Sequence, residues 1–263
     1  MDSKLKTAAP AKPAVQPPQP EAKEDGEGAA MGFFDHLFEL RKYLVRAVLG
    51  LVVTTTFSLI FADRILAYLI QPFGDKVQIL GPTEGVVVFF RVALLAGAIL
   101  SIPWITYQLW MFIAPGLTRK ERRWVLMSIP ATTLLFLIGV AFSWFILSPA
   151  ALNFLSTFQA DIFEVGWTAD QYIAFVTSLL FWIGLSFETP LIFYILSRLG
   201  FVTPKSLRNN WRIAIVGAAV VAAMITPTID PFNMMLVMGP LLTLYVLSIF
   251  LSGIGMRQGG FAD

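Results

Sequence analysis

The sequence has 263 residues, with 57% hydrophobic and 14% charged side chains, a mean hydropathy of +0.73 and a formal net charge of +2. Soluble domains are about 45–50% apolar and about 25% charged, so this composition indicates a membrane protein. The chain has no cysteine and one histidine, His36, which excludes disulfides, thiol catalysis and a histidine metal cage within one chain. We predict no metal site, no cofactor and no nucleic-acid partner.

The first 30 residues are rich in Ala, Pro, Lys and Glu and contain almost no large apolar side chains. Such a segment cannot bury enough apolar surface to offset the entropy of ordering it, so we predict a disordered tail at 1–30. It has no apolar core of a secretory signal, and its acidic residues are unlike an organellar transit peptide. The predicted organisation is this tail, a membrane domain at 31–255 and a short tail at 256–263.

Six apolar segments follow, and each is predicted to be a membrane-spanning helix. They cover approximately residues 43–62, 92–114, 124–147, 172–196, 213–226 and 232–251. Crossing a hydrocarbon core of about 30 Å takes roughly 20 helical residues, a length that four of them reach comfortably. The fifth is short, and the sixth contains the helix breaker Gly239-Pro240. The fold class is therefore all-α and polytopic, with six transmembrane helices and short fifth and sixth spans. The alternative for the last two is one re-entrant hairpin.

The distribution of Lys and Arg predicts the orientation of these spans. If the N-terminus lies inside, only Arg64, Lys76 and Arg91 of the 19 basic residues fall in outer segments. Positive charges collect in cytoplasmic loops of membrane proteins, and here the bias alternates correctly at every loop. We therefore predict that both termini are cytoplasmic.

A short amphipathic helix is predicted immediately before the first span. In residues 33–42 the apolar side chains and Arg41 fall on one helical face, whereas Glu39 and Lys42 fall on another. The simplest interpretation is a membrane-surface anchor in which Glu39 pairs with Lys42.

The loop after the second span combines a helix start with a cluster of cations. Pro115-Gly116 ends the second helix, Thr118 fits an N-cap, and Glu121 stands three residues later, where it can close a capping box. The cluster continues with Arg122-Arg123. A structural interpretation, a capping carboxylate among topology-setting cations, is open alongside a binding role.

Two further features stand out in the second half of the chain. Glu188 lies inside the fourth span, where an unpartnered carboxylate costs at least about 2.5 kcal/mol, so a functional role is favoured. Pro190 beside it should kink the helix. The segment Thr226-Pro227-Thr-Ile-Asp230-Pro231 forms the turn between the last two spans, and its residues are ordinary turn formers.

These four stretches, in this order on six spans, resemble the TatC family, the largest subunit of the twin-arginine protein translocase. The resemblance covers about residues 31–255. It rests on the matches H-L-x-E-L-R at residues 36–41, F-I-x-P-x-L at 112–117 with E-R-R at 121–123, S-F-E-x-P at 186–190 and T-P-x-x-D at 226–230. Two positions depart from the family pattern, because Met234 and Val246 stand where many relatives carry Gln and Glu.

The resemblance implies a receptor for signal peptides with two consecutive arginines, on proteins that are exported already folded. The implied signal-peptide contacts are Glu39, Arg41, Phe112, Glu121, Arg122 and Arg123. Glu188 would provide a polar cavity, and the candidate contacts to single-span TatA- or TatB-type partners are Met224, Thr226, Pro227 and Asp230. The resemblance further implies self-association, a bacterial inner-membrane location and export driven by the proton gradient.

Three other functions compete with this interpretation. A proton-coupled solute transporter would use Glu188 as its titrating group and would need a second buried ionisable residue, for which Arg91 is the candidate. An intramembrane enzyme lacks a plausible catalytic pair, so we predict that the protein is not an enzyme. A passive assembly scaffold would differ from the receptor only in lacking selectivity for paired arginines.

Overall fold

The computed structural model describes residues 25–71, 77–113, 117–158, 166–226 and 231–259, with side chains from Phe38 onward except at positions 120 and 259. The chain forms two compact units, Met1–Glu39 and Leu40–Asp263. The described part of the first unit is helical, and the second unit is a helical bundle. Extended structure within the described residues is limited to an isolated bridge between Gln78 and Thr168.

The described residues form ten α-helices and one π-helical turn. The helices are α1 Asp25–Ser58, α2 Ala62–Ile70, α3 Glu84–Ile113, α4 Arg119–Phe142, α5 Ser148–Thr157, α6 Ala169–Ser186, α7 Thr189–Arg198, α8 Pro204–Asn209, α9 Trp211–Ile225 and α10 Pro231–Gly259, with the π-helical turn Ser143–Leu147 joining α4 to α5. α1 begins inside the segment predicted to be a disordered tail, of which residues 1–24 lie outside the described residues. It also runs without a break from the predicted amphipathic segment into the first span.

The helices confirm the predicted all-α polytopic fold, but within the described residues length and composition support four or five spans and not the six predicted. Four stretches are long and apolar enough to cross a bilayer: Glu84–Ile113, Glu121–Thr157, Ala169–Arg198 and Pro231–Gln258. A fifth results if Phe38–Ser58 and Ala62–Ile70, which meet at a 77° bend, count as one span. The first helix therefore ends before the predicted limit at residue 62.

The fifth predicted span is short, as expected, but the sixth is not. α9 has 15 residues and reaches only about 22 Å. α10 has 29 residues and continues through Pro240, so the prediction of a short sixth span is wrong. A proline removes one backbone hydrogen bond, and a membrane helix accommodates this loss without ending.

Side-chain contacts show which helix ends lie together. At one end, Arg198 at the end of α7 lies 4.1 Å over the ring of Trp124 near the start of α4, and Tyr194 Oη donates to Gln258 Oε1 of α10 at 2.7 Å. We call this the basic end. Its described cations are Arg41, Lys42, Arg46, Arg119, Arg122, Arg123, Arg198, Lys205, Arg208, Arg212 and Arg257.

The opposite end of the bundle carries the acidic side chains. Arg91 of α3 pairs with Asp170 of α6 at 2.6 Å, and the Asp170 N–H donates to Glu84 Oε1 at 2.7 Å. Glu84 Oε2 accepts from the N–H groups of Leu80 and Gly81, so one carboxylate links the loop before α3 to the start of α6. The separation of basic and acidic ends agrees with the alternation of charge along the sequence.

Two prolines explain the interruptions within the third and fourth spans. Pro149 cannot donate to the carbonyl four residues earlier, and the preceding Ser148 N–H bonds to Ser143 in a wider π-helical turn. Pro190 similarly lacks the N–H that would continue the backbone hydrogen bonds of α6. That helix ends at Ser186, and α7 begins at Thr189. The helix is therefore interrupted beside Glu188, and its two parts together form one span, Ala169–Arg198.

Close approach of α7 and α10 requires glycine at one position. A Cβ added to Gly255 would lie 2.5 Å from the carbonyl oxygen of Tyr194, a backbone atom that cannot move aside easily. The same two helices also bring the small side chains of Ser197 and Ser252 into a buried hydroxyl–hydroxyl hydrogen bond. Helices in membranes associate largely through such close packing.

We predict that Gly255→Ala lowers the thermal stability of the detergent-solubilised protein, because overpacking typically costs about 1–3 kcal/mol. Gly253→Ala is the matched control, since its Cβ would meet only Pro204 Cγ at 3.9 Å. The control should unfold at the same temperature or higher, because alanine is favoured over glycine within a helix by about 1 kcal/mol. Equal melting temperatures for the two variants would contradict the close helix contact.

Candidate functional site

Glu121 is held at the start of α4 by the predicted capping box. Its Oε2 accepts hydrogen bonds from the Thr118 N–H and from Thr118 Oγ1, both at 2.7 Å, and its own N–H donates to Thr118 Oγ1 at 3.4 Å. Both bonds to the carboxylate use the same oxygen. Oε1 accepts no hydrogen bond from the described residues, so the site has a fixed carboxylate with a vacant acceptor oxygen.

The charge around Glu121 is one-sided. In the described part of the second unit, the other carboxylates belong to Asp63, Glu84, Asp170 and Glu188, and none of them lies at the basic end. The neighbouring Arg122 and Arg123 are exposed, and Arg122 Nη2 reaches the sulfur of Met111 at 3.8 Å. Glu121 is thus the single described negative charge among many cations at this end of the unit.

Phe112 closes the neighbouring end of α3 in an aromatic contact. Its half-buried ring meets the ring of Tyr43 edge-on, with centroids 6.4 Å apart. The guanidinium of Arg46 lies 6.0 Å from the same Tyr43 ring, and Trp104 Nε1 donates to the Arg46 carbonyl at 2.9 Å. These contacts fix Phe112 against α1. Residues 114–116, with the predicted Pro-Gly helix stop, lie outside the described residues.

Glu39 and Arg41 stand on either side of the boundary between the two units. Both side chains are exposed, with Glu39 in the first unit and Arg41 in the second. Their cooperation with Glu121 stays a prediction from the sequence.

Glu188 is buried at the break in the fourth span. Only 7% of the residue is exposed, and Oε1 accepts no hydrogen bond from any described residue. The adjacent Phe187 packs on Phe142 with ring centroids 5.5 Å apart. Burying a carboxylate in apolar surroundings costs free energy unless a hydrogen-bond donor or water reaches it. We therefore expect Glu188 to bind a polar group.

The candidate partner contacts between α9 and α10 are only partly described. Met224 is 65% exposed on α9, whereas Thr226 is buried and donates from Oγ1 to the Ala222 carbonyl at 2.8 Å. Pro227 and Asp230 lie outside the described residues. Met224 is therefore accessible to a partner, whereas the Thr226 hydroxyl binds a backbone carbonyl in the last turn of α9.

A groove beside Glu121 was missed by the sequence analysis. It has a volume of about 560 Å³ and runs between α4, α7 and α10 from Thr118 to Ala131. Arg198, Tyr194 and Gln258 lie at its polar end. No sequence pattern could identify it, because the residues come from three helices that only tertiary packing brings together.

The chain is similar to known proteins over most of its length. The profile of the family described as Sec-independent protein translocase protein (TatC) matches residues 35–240. The chain is 37% identical over 230 residues to the chloroplastic Sec-independent protein translocase protein TATC of Arabidopsis thaliana, covering 86% of this chain and 68% of that one. It is also 37% identical over 216 residues to the TatC protein of Synechocystis sp., covering 82% and 85% respectively.

A solved structure shares the fold. The crystal structure of a twin-arginine translocase receptor, TatC, superposes with a TM-score of 0.77 at 33% sequence identity and covers 84% of this chain and all of that one. A second crystal structure of that receptor, in the detergent DDM, gives a TM-score of 0.76.

We predict that Thr118→Val frays the first turn of α4, because it removes the hydroxyl that caps the Glu121 N–H. Loss of such a cap costs about 1 kcal/mol, which corresponds to about fivefold faster exchange of the Glu121 and Arg122 amides, the two that donate to Thr118. Hydrogen-exchange mass spectrometry measures this rate. Glu121→Gln is the control, since its amide oxygen can still accept from Thr118, and it should keep the protection. Unchanged exchange in Thr118→Val would show that the capping box does not hold this turn.

Proposed function

The chain belongs to the TatC family of Sec-independent protein translocases, and from this premise we propose that its basic end captures the paired arginines of signal peptides. The observation that carries the proposal is the vacant Oε1 of Glu121. Because Thr118 fixes the other oxygen, an incoming guanidinium meets a carboxylate that is already oriented. Binding then costs little side-chain entropy.

The carboxylate chemistry accounts for a preference for arginine over lysine. Because Oε2 already accepts two hydrogen bonds, the two free lone pairs of Oε1 would accept two N–H groups of the planar guanidinium, whereas an ammonium acts as a point charge. Glu121 takes one arginine in this proposal, and Glu39 takes the other. The exposed guanidiniums of Arg41, Arg122 and Arg123 would donate to the carbonyl groups of the peptide backbone, which has no charge of its own to repel them.

Charged contacts at a solvated surface are weak, so the apolar part of the signal must contribute most of the affinity. Phe112 lies at the end of α3 next to the loop before Glu121 and offers an apolar contact to the residues that follow the arginines. In a second step the apolar segment moves into the membrane towards Glu188. There the buried carboxylate would take a polar group of the signal or of a partner subunit as its missing hydrogen-bond donor.

The family premise extends the proposal to the assembly. We assign the chain to a bacterial inner membrane with both termini in the cytoplasm, because the basic end then faces the cytoplasm. Single-span partners of the TatA and TatB type would contact the surface near Met224, Thr226, Pro227 and Asp230, alongside further copies of the chain. The resemblance to the family implies that the proton gradient would drive transport, and the sequence contains no phosphate-binding G-x-x-x-x-G-K-[ST] loop.

A proton-coupled solute transporter fits the structure less well. Arg91, the candidate second ionisable group, is paired with Asp170 at the acidic end and is partly exposed. Among the described side chains Glu188 is the one buried carboxylate, and no described Lys or Arg is buried. The described residues therefore offer Glu188 no ionisable partner for a proton relay.

We predict that the purified protein in nanodiscs captures a peptide with paired arginines at least about tenfold more tightly than the same peptide with paired lysines. Glu121→Gln should abolish this preference, because the neutral amide keeps the cap but loses the charge. Fluorescence anisotropy of labelled peptides gives both affinities. Asp63→Asn is the control, since it removes an exposed carboxylate of α2. Equal capture of the two peptides by the unchanged protein would leave a passive scaffold as the better interpretation.

We predict that Glu188→Leu raises thermal stability and lowers export of a folded reporter in membrane vesicles. Stability rises because a costly buried carboxylate is replaced by an apolar side chain, and export falls because the polar contact is lost. Thr132→Val removes another buried polar group, whose hydroxyl only bonds back to Ser128 of its own helix, and should leave export unchanged. Normal export by both Glu188→Leu and Glu188→Gln would exclude a role for this carboxylate.

A further inference from the structure

Arg198 lies at the polar end of the groove between α4, α7 and α10, where its guanidinium contacts uncharged side chains. Its Cζ lies 4.1 Å from the centroid of the Trp124 ring, and Nη1 donates to Tyr194 Oη at 3.0 Å and to Gln258 Oε1 at 3.2 Å. All three partners are neutral. No described carboxylate forms an ion pair with it.

The remaining donors of Arg198 form a fork. Nε and Nη2 donate to no described residue, so up to three N–H groups are available on the side of the guanidinium away from Nη1. The stack on Trp124 and the two bonds from Nη1 restrict the side chain before any ligand arrives. Such an arrangement suits bidentate binding of a tetrahedral or planar oxyanion.

The groove continues from this fork along apolar walls. On α4 the positions Trp124, Met127, Ser128 and Ala131 follow one another at helical spacing, and on the facing α7 the wall includes Leu191 and Ile195. About seven residues of helix correspond to roughly 10 Å along the axis. The groove is therefore polar at the basic end and apolar towards the middle of the span.

The α4 wall of this groove faces outwards. Trp124 is 53% exposed and Met127 is similarly exposed, on a helix that is apolar enough to cross the membrane. In a bilayer these side chains meet lipid, with Trp124 near the headgroup level where tryptophan is enriched. A molecule in the groove would thus have its polar end at the headgroups and its apolar end among acyl chains.

We propose that this groove is a binding site for an anionic glycerophospholipid, with Arg198 binding the phosphodiester and the α4 and α7 walls holding an acyl chain. Charge complementarity selects this occupant, because the basic end carries many cations and Glu121 is its single described carboxylate in the second unit. Glu121 also lines the groove, but the other described charges of this end are positive, so the end as a whole favours an anion over a cationic peptide segment. Glu121 lines the same groove, so an arginine-paired signal peptide is the competing occupant that the experiment has to separate from the lipid.

The lipid would support the geometry on which Glu121 depends. Trp124 follows Glu121 by one helical turn on α4 and contacts Arg198 of α7. An anion on the fork neutralises Arg198, the one guanidinium among the described residues that line the groove. We expect the bound lipid to stabilise the packing of these three helix ends.

The chain lacks cysteine, so Met127→Cys provides a unique attachment point for a bimane fluorophore in the groove. The labelled protein is reconstituted in phosphatidylcholine with increasing fractions of brominated phosphatidylglycerol, whose bromines quench the fluorophore. We expect quenching to reach half its maximum at a mole fraction about tenfold lower than in the same protein carrying Arg198→Gln. Brominated phosphatidylcholine should quench only in proportion to its fraction.

Two variants separate a built site from general surface charge. Arg208→Gln removes an exposed cation of α8 at the same end and should leave the quenching curve unchanged. Arg198→Lys keeps the charge but loses the fork, and its curve should lie between those of the unchanged protein and Arg198→Gln. Circular dichroism and size-exclusion profiles confirm that each variant is folded before its curve is used.

Three results would overturn the proposal. Equal curves for Arg198→Gln and Arg208→Gln would reduce the effect to net surface charge. Equal quenching by the two brominated lipids in the unchanged protein would show that the groove has no headgroup preference. Displacement of the brominated lipid by an arginine-paired signal peptide, with the fluorophore protected by the peptide, would assign the groove to the peptide instead.

Discussion

Inside a lipid bilayer every backbone N–H and C=O must find a partner within the protein, and this requirement controls the whole molecule. It explains why the described chain is built from helices and why the spans break only at particular places. Pro149 is accommodated by a π-helical turn, and Pro190 by a two-residue turn between α6 and α7. The second break is also where Glu188 is buried, so the position that disturbs the helix ladder is the one that carries a polar side chain into the membrane.

The same requirement moves the chemistry to the ends of the helices, where backbone and side chains meet water and headgroups. At the acidic end, Glu84, Arg91 and Asp170 tie the start of α3 to the start of α6. At the basic end, Thr118 fixes Glu121, and Trp124 fixes Arg198. At the acidic end these charged side chains thus bind one another or the backbone. The basic end presents one oriented carboxylate and one oriented guanidinium, each with unused hydrogen-bonding capacity towards the described residues, and is suited to binding.

Much of this arrangement could be predicted from the sequence. Apolar length predicted the spans, and the T-x-x-E spacing predicted the capping box at Thr118 and Glu121, because both depend on neighbours along the chain. Pro190 indicated a disturbance of the helix beside Glu188 for the same reason, and the structure has a break there. The predicted length of the last span was wrong. The prediction treated Gly239-Pro240 as a helix breaker, whereas the long apolar helix α10 continues through Pro240. The Arg198 groove could not be predicted, because Trp124, Tyr194 and Gln258 are distant in sequence and meet only through packing.

The central claim is that the oriented carboxylate of Glu121 pairs with an arginine of the signal. A double-mutant cycle tests it most directly, with Glu121→Gln in the protein and each arginine in turn replaced by lysine in the peptide, and with binding measured in nanodiscs. Direct pairing predicts that the two changes are non-additive for one arginine by about tenfold or more in affinity, because removing either partner already removes the interaction. Additive effects, within about twofold for both arginines, would mean that Glu121 does not contact either guanidinium.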